Sequence, residues 1–243
     1  MKLNCDLGES FGAWKMGLDC SVMPHIDMAN IACGFHAGDA DVMASTLTLA
    51  KQYNVQIGAH PSYPDLQGFG RRSMNLSASE LINCLHYQIA AVEGMAKVQG
   101  LTLSYVKPHG ALYNDMMADE TILNTVMHAI AIYPTPLKLM LLATAKAHSH
   151  QQLAKTYQLT LILEAFADRQ YTDAGLLVSR NIPGSVHNKS ALIAQVKQLL
   201  TTGCVTTQSG KVLPLHADSL CVHSDNEASI ALIQEIKVLC QTR

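Results

Sequence analysis

Apolar runs rich in β-formers recur along the chain at residues 2–5, 28–33, 55–59, 103–106, 137–142, 159–163 and 219–222, which implies seven strands. Between them the apolar positions change to a spacing of three and four. The clearest case runs from 77 to 99. There Leu81, Leu85, Ile89, Val92 and Ala96 share one face, Ser77 and Glu80 form a capping box, and Gly100 ends the helix. Comparable helices are expected at 41–53, 120–132, 145–157, 189–201 and 226–240. Nearly every strand is therefore followed by a helix, the βα repeat of a parallel sheet. Residues 205–215 break the rhythm and read as a short hairpin insertion turning at Ser209 and Gly210.

A parallel sheet either closes into a barrel or stays open with helices on both faces, and propensity does not choose between the two. In both cases the site lies at the carboxyl ends of the strands. Residues 1–243 are expected to form a single domain, since βα repeats of this length commonly make one barrel.

Composition narrows the class. A hydrophobic fraction of 49% supplies a sizeable interior, and a charged fraction of only 15% leaves surface for a second protein to cover. Seventeen basic and nineteen acidic side chains give a net charge of -2 with no like-charge block, so nucleic acid and anionic membranes are not expected partners. With no basic-then-apolar leader and no run of 18 apolar residues, a cytoplasmic location is expected. The seven cysteines are odd in number, scattered and without a CxxC pair, and read as reduced thiols that mostly fill the core.

The polar residues just after the strands carry the candidate chemistry. The first strand ends in NCDLGES, where Asn4, Asp6 and Glu9 suggest metal binding or proton transfer, or else a polar loop that caps a helix. The second runs into NIACGFHAGD, which gathers Asn30, Cys33, His36 and Asp39 around Gly34 and Gly38. Asp39 also suits an N-cap, whereas a helix start does not require His36. Nothing near Cys33 marks an activated thiol, so burial is its expected fate.

The third strand ends in GAHPSYPD and GFGRR, with His60, Asp65, Arg71 and Arg72. One arginine is a candidate anion clamp, and the other is expected to pair on the surface. In YVKPHGALYN, Lys107 and His109 stand two apart on one side of an extended segment, so both point into one site. EAFADRQYTDAGLLVSR concentrates Glu164, Asp168, Arg169, Tyr171 and Arg180 in a loop that reads either as a lid or as a salt-bridge network. CVHSDN adds His223 and Asp225, the latter also a possible helix cap.

His86, His128, His148 and His150 are assigned to the surface or to satisfied core positions, while His25, His187 and His216 stay undecided. There is no GxxxxGK[ST] loop, no GxGxxG after the first strand and no HExxH.

Six ordered motifs, NIACGFHAGD, GAHPSYPD, FGRR, VKPHGALYN, EAFADRQY and CVHSDN, span essentially the whole chain and resemble the signature of the lactam-utilisation family of bacterial ATP-dependent 5-oxoprolinases. The resemblance implies an α/β fold, a distorted seven-stranded (β/α) TIM-like barrel of the glycoside hydrolase/deacetylase type. It implies opening of 5-oxo-L-proline (pyroglutamate) to L-glutamate, with ATP as co-substrate hydrolysed to ADP and phosphate, and separate B and C subunits as partners. Cys5 stands where the family has alanine, which argues against a catalytic Cys5, and Ser224 stands where it has glycine.

Under this reading Arg71 and Lys107 hold a carboxylate or phosphate, and His60 or His109 is the general base. Asp6, Glu9 and Glu164 orient these groups or a cation. Asn30, His36, Asp39, Asp65, Asp168, Arg169, Tyr171 and His223 are further substrate-binding candidates. Two alternatives stand beside it: a metal-dependent deacetylase or amidohydrolase with Asp6, His60 and His109 as ligands of a divalent ion, and a non-catalytic substrate-binding subunit. All three require the distant strand ends to converge on one hollow.

Overall fold

In a computed structural model of the chain, which describes residues 1–223 and 227–241, the seven apolar runs and the hairpin segment become nine strands. They are β1 (Lys2–Leu7), β2 (Met28–Ala32), β3 (Gln56–His60), β4 (Leu103–Val106), β5 (Lys138–Leu142), β6 (Leu161–Phe166), β7 (Cys204–Thr206), β8 (Val212–Pro214) and β9 (Ser219–Val222). Seven of them pair in parallel and close a barrel in the order β1-β2-β3-β4-β5-β6-β9, with β9 bonded to both β6 and β1. β7 and β8 form the hairpin read from the sequence, antiparallel and outside the barrel. The expected seven-stranded (β/α) barrel is thus the observed fold.

The helices are α1 (Asp19–Val22), α2 (Ala40–Gln52), α3 (Ala78–Val98), α4 (Gly110–Ala118), α5 (Glu120–Ala131), α6 (Ala147–Thr156), α7 (Lys189–Thr202) and α8 (Glu227–Gln241). Ser77 and Glu80 close the capping box at the start of α3. Two helices had no signature in the apolar pattern. One is the single turn α1, and the other is the nine-residue α4, where three of the four buried residues, Ala111, Leu112 and Tyr113, are adjacent and blur the helical spacing that Met116 completes. Between β6 and α7 the chain makes only isolated bridges, Arg169 to Val186 and Tyr171 to Leu177. Among the described residues no helix is long and apolar enough to cross a membrane.

Alternation along the strands sorts the interior. Leu3, Cys5 and Leu7 belong to the main apolar core, while Asn4 and Asp6 join polar networks with residues of other strands. Met28, Tyr105 and Met140 pack together as a small apolar group of their own. The Tyr105 ring lies where a side chain on Gly58 would stand, only 2.2 Å from an added Cβ. Above that plug, Tyr105 donates to Asn30 (2.6 Å), Asn30 to Asn4 (2.8 Å) and Asn4 to Ser219 (2.8 Å). This buried polar layer is satisfied internally and supports the charged residues of the strand ends.

Candidate active site

Lys107, just past β4, reaches across the barrel into acids carried by two other strands. Its Nζ stands 2.9 Å from Asp6 Oδ1 of β1, 3.1 Å from Glu164 Oε2 of β6 and 3.3 Å from Asn4 Oδ1. Burial disfavours the charged lysine, but Asp6, Cys221 and Glu164 outweigh it and hold the ammonium well above its usual range. Burial likewise raises the Asp6 carboxyl, and His60 and Lys107 more than reverse this, leaving it well below the carboxylate range. Asn30 fixes the same carboxylate by donating to Oδ1 at 2.7 Å. The three donors of the ammonium are therefore engaged by protein oxygens. Its charge keeps two buried acids together, and Lys107 also lines the cleft.

A second tier of groups lies beside this floor. His60 ends β3, His109 precedes α4, and His36 and Glu9 come from the loops after β2 and β1. The His36 and His109 rings stack with centroids 3.8 Å apart, and His60 meets His109 edge-on. Gly70 makes the packing possible, since its φ is +63° and an added Cβ would come within 2.9 Å of both His109 and His36. His60 Nδ1 lies 2.7 Å from the Lys107 carbonyl oxygen, and His109 Nε2 lies 3.0 Å from the Phe69 carbonyl oxygen. A carbonyl only accepts, so each of these nitrogens must carry the hydrogen. The remaining nitrogens, His60 Nε2 and His109 Nδ1, face each other at 2.9 Å. The two rings are therefore coupled, and His60 Nε2 also stands 3.4 Å from Asp6 Oδ2.

Burial lowers the basicity of His109, and the neighbouring His36 and His60 add to this. His36 is lowered in the same way by burial and by His60. Glu9 is raised, first by burial and then by Asp6.

These groups open into a cleft of about 490 Å³ that the segment from Leu176 to Asn181 also lines. Arg71 and Arg180 line it without a salt bridge to any carboxylate among the described residues. The Arg71 guanidinium lies over the Phe69 ring at 4.9 Å, and Arg180 reaches toward His223 Nε2 at 3.4 Å. The other arginine of the pair, Arg72, is bound by Asp65, as expected of one of the two.

The LamB/YcsF family profile matches this sequence over residues 1–243. The chain belongs to the LamB/YcsF family. Among similar proteins, the 5-oxoprolinase A subunit of Vibrio parahaemolyticus is 51% identical over 98% of this chain and 94% of its own. A 5-oxoprolinase A subunit of Pseudomonas putida, the second of that name there, is 53% identical over 97% and 92%. The crystal structure of the lactam utilization protein from Thermus thermophilus superposes with a TM-score of 0.89 at 34% identity, covering 99% of this chain and 96% of that one.

Within this LamB/YcsF barrel Asp6, Glu9, His36, His60, Lys107, His109 and Glu164 do converge, and Arg71, Arg169 and His223 line the same cleft. Three candidates are placed elsewhere. Asp39 is the N-cap of α2, accepting from Asp41 and Val42 N–H and also from Gly12. Asp65 braces its own loop through Arg72 and the Gly68 N–H. Tyr171 accepts from the buried Phe166 N–H and faces the interior.

Asn30 acts through Asp6, and Asp168 through His223, with which it pairs at 2.9 Å. Arg169 donates to the Val178 carbonyl and so shapes the wall. Cys33 is buried, and that burial raises its thiol. Cys5 lies in the apolar core. Asp225 and Ser224 lie outside the described residues. The sequence reading missed Tyr113 and Asn114 as cleft residues because α4 itself had no signature, although both fall within YVKPHGALYN. Of the expected ligand set Asp6, His60 and His109, Asp6 stands 3.4 Å from His60, and the three divide between two donor groups. Glu9, His36, His60 and His109 form one group, and Asp6 falls with Cys221 and His223.

Proposed function

We propose that this LamB/YcsF chain is the A subunit of an ATP-dependent 5-oxoprolinase, opening 5-oxo-L-proline to L-glutamate while ATP becomes ADP and phosphate. The observation that carries the reading is near-full-length identity of about half to proteins named as 5-oxoprolinase A subunits. B and C subunits are the implied partners, and the cytoplasm is the implied compartment.

The cleft supplies what the reaction asks of the protein. A five-membered lactam is an amide with a poor leaving group. Phosphorylation of its carbonyl oxygen by ATP leaves a carbon that water attacks. Arg71 and Arg180 take the substrate carboxylate and the transferred phosphoryl group, since Lys107 is bound to acids and Arg169 is tied to the Val178 carbonyl. Water is activated at the centre formed by His60, His109 and Glu9, and the Lys107–Asp6–Glu164 floor holds that centre in place. Leu176, Leu177 and Val178 screen the cleft from bulk solvent.

Reconstitution with B and C subunits, following ATP loss and glutamate appearance together, tests the assignment. His109→Ala is expected to abolish both while the circular dichroism spectrum is retained, and full activity in a folded variant would defeat it. The donor group of Glu9 and three histidines favours a second reading, a metal-dependent amidohydrolase. Lactam opening by the isolated chain without ATP would select it.

A further inference from the structure

We infer that Glu9, His36, His60 and His109 form a binding site for one divalent first-row transition ion, of the zinc, cobalt or manganese class. The four donor atoms lie within 4.8 Å of one another, and the three histidines are buried.

Proximity alone would not carry this. The first support is the orientation of the imidazoles. The Lys107 and Phe69 carbonyls hold the N–H of His60 and His109, which turns one bare nitrogen from each ring toward the same point, 2.9 Å apart. Two nitrogens at that distance repel unless a proton or a metal ion lies between them, and His60 Nε2 also stands 3.4 Å from Asp6 Oδ2. Backbone carbonyls that fix the far nitrogen of a ligating histidine are the usual outer support of a metal site.

The second support is the spacing. Atoms about 2.1 Å from one ion stand about 3.0 Å apart in octahedral cis positions and about 3.4 Å apart in a tetrahedron. Here the separations are 2.9 Å between His60 and His109, 3.4 Å between His36 Nε2 and Glu9 Oε1, and 3.6 Å between His109 Nδ1 and the same oxygen. The longer two sit at or beyond the edge of hydrogen bonding but match the edges of a coordination polyhedron. Mixed imidazole and carboxylate donors suit first-row transition ions better than calcium or magnesium.

The other donor group offers a contrast within the same barrel. Asp6, Cys221 and His223 also lie close together, but the Lys107 ammonium already stands 2.9 Å from Asp6 and 3.4 Å from Cys221. A cation is built into that group by the fold. No lysine or arginine is bonded to Glu9 or to the histidine nitrogens among the described residues. A Lewis acid here would face the cleft, where Glu9, His60 and His109 are lining residues. Its use in ring opening rests on the reading above, but its binding does not, so the two fail separately.

The test is direct titration of the full chain, stripped with a chelator, by calorimetry with Zn²⁺ and by visible absorption with Co²⁺. One equivalent per chain is expected. The Co²⁺ d–d bands should appear without the near-ultraviolet thiolate charge-transfer band that a cysteine site would add. His60→Gln and His109→Gln are expected to weaken binding about 100-fold or more. Glu9→Gln, which leaves the histidine pair in place, should weaken it measurably in a chain whose circular dichroism is unchanged. His148→Gln, on the exposed face of α6, should bind as the wild type does. The inference is overturned if no ion binds stoichiometrically, if a thiolate band accompanies binding, or if affinity survives His60→Gln and Glu9→Gln.

Discussion

Lys107 shows how much of a site one residue can decide. Its ammonium lies between Asp6 and Glu164 in a space almost closed to water. Replacing it by methionine keeps the volume but leaves two carboxylates facing each other, and removing one partner of a buried pair costs about 3–5 kcal/mol. Urea unfolding of Lys107→Met is expected to show a loss of that size.

The pair of His223 and Asp168 gives a pH signature. Burial disfavours the imidazolium, but Asp168 overrides it and raises His223 above its ordinary 6.5. Burial raises Asp168 and His223 overrides that too, lowering it below 3.8. The histidine therefore contributes fully below 6.5 and is lost as pH climbs through its raised value. The aspartate contributes above 3.8 and is lost as pH falls through its lowered value. The melting-temperature difference between wild type and Asp168→Asn should be greatest from about pH 4 to 6.5 and shrink on the alkaline side.

The inward aim of Lys107 and His109 was legible from their spacing of two. The acids that Lys107 meets were not, because they come from β1 and β6, and register between distant strands leaves no local mark.

At the scale of elements, the strands and six long helices followed from periodicity, while α4 did not. Its start is bound to the loop after β3, where the Ala111 N–H donates to the Gly70 carbonyl at 2.8 Å. An added Cβ on Gly110 would fall 2.4 Å from that oxygen. α4 thus begins against a neighbouring loop, and tertiary contact takes over from sequence pattern. The same contact yields a prediction. Gly70→Ala strains a left-handed backbone and pushes on His36 and His109 together. It should reduce turnover by the reconstituted enzyme at least tenfold, while far-ultraviolet circular dichroism shows the barrel intact.

Over the whole molecule, closure was the question periodicity left open. It is answered at the seam, where β9 bonds to both β6 and β1. Asp218 lies at that seam, its carboxylate accepting from the Leu163 N–H and its carbonyl from the Lys2 N–H. The β9–β1 bonds that close the ring, such as Lys2 to Asp218, join residues more than 200 positions apart, beyond any local pattern. The family resemblance nonetheless pointed to closure, since the fold it implied is a barrel.

The β7–β8 hairpin lies outside that ring, yet Asp173 accepts from Thr207 and Ser209 at its tip, and the Gln208 N–H donates to the Tyr171 carbonyl. These bonds moor the strip of chain that continues into Leu176–Asn181, which lines the cleft. Asp173→Ala is expected to raise KM for 5-oxoproline severalfold with little change in kcat, read from steady-state kinetics of the reconstituted enzyme. Affinity and chemistry would then be set by different stretches of polypeptide, so a surface ornament could be rewritten to suit scarce or plentiful substrate without moving any reacting atom.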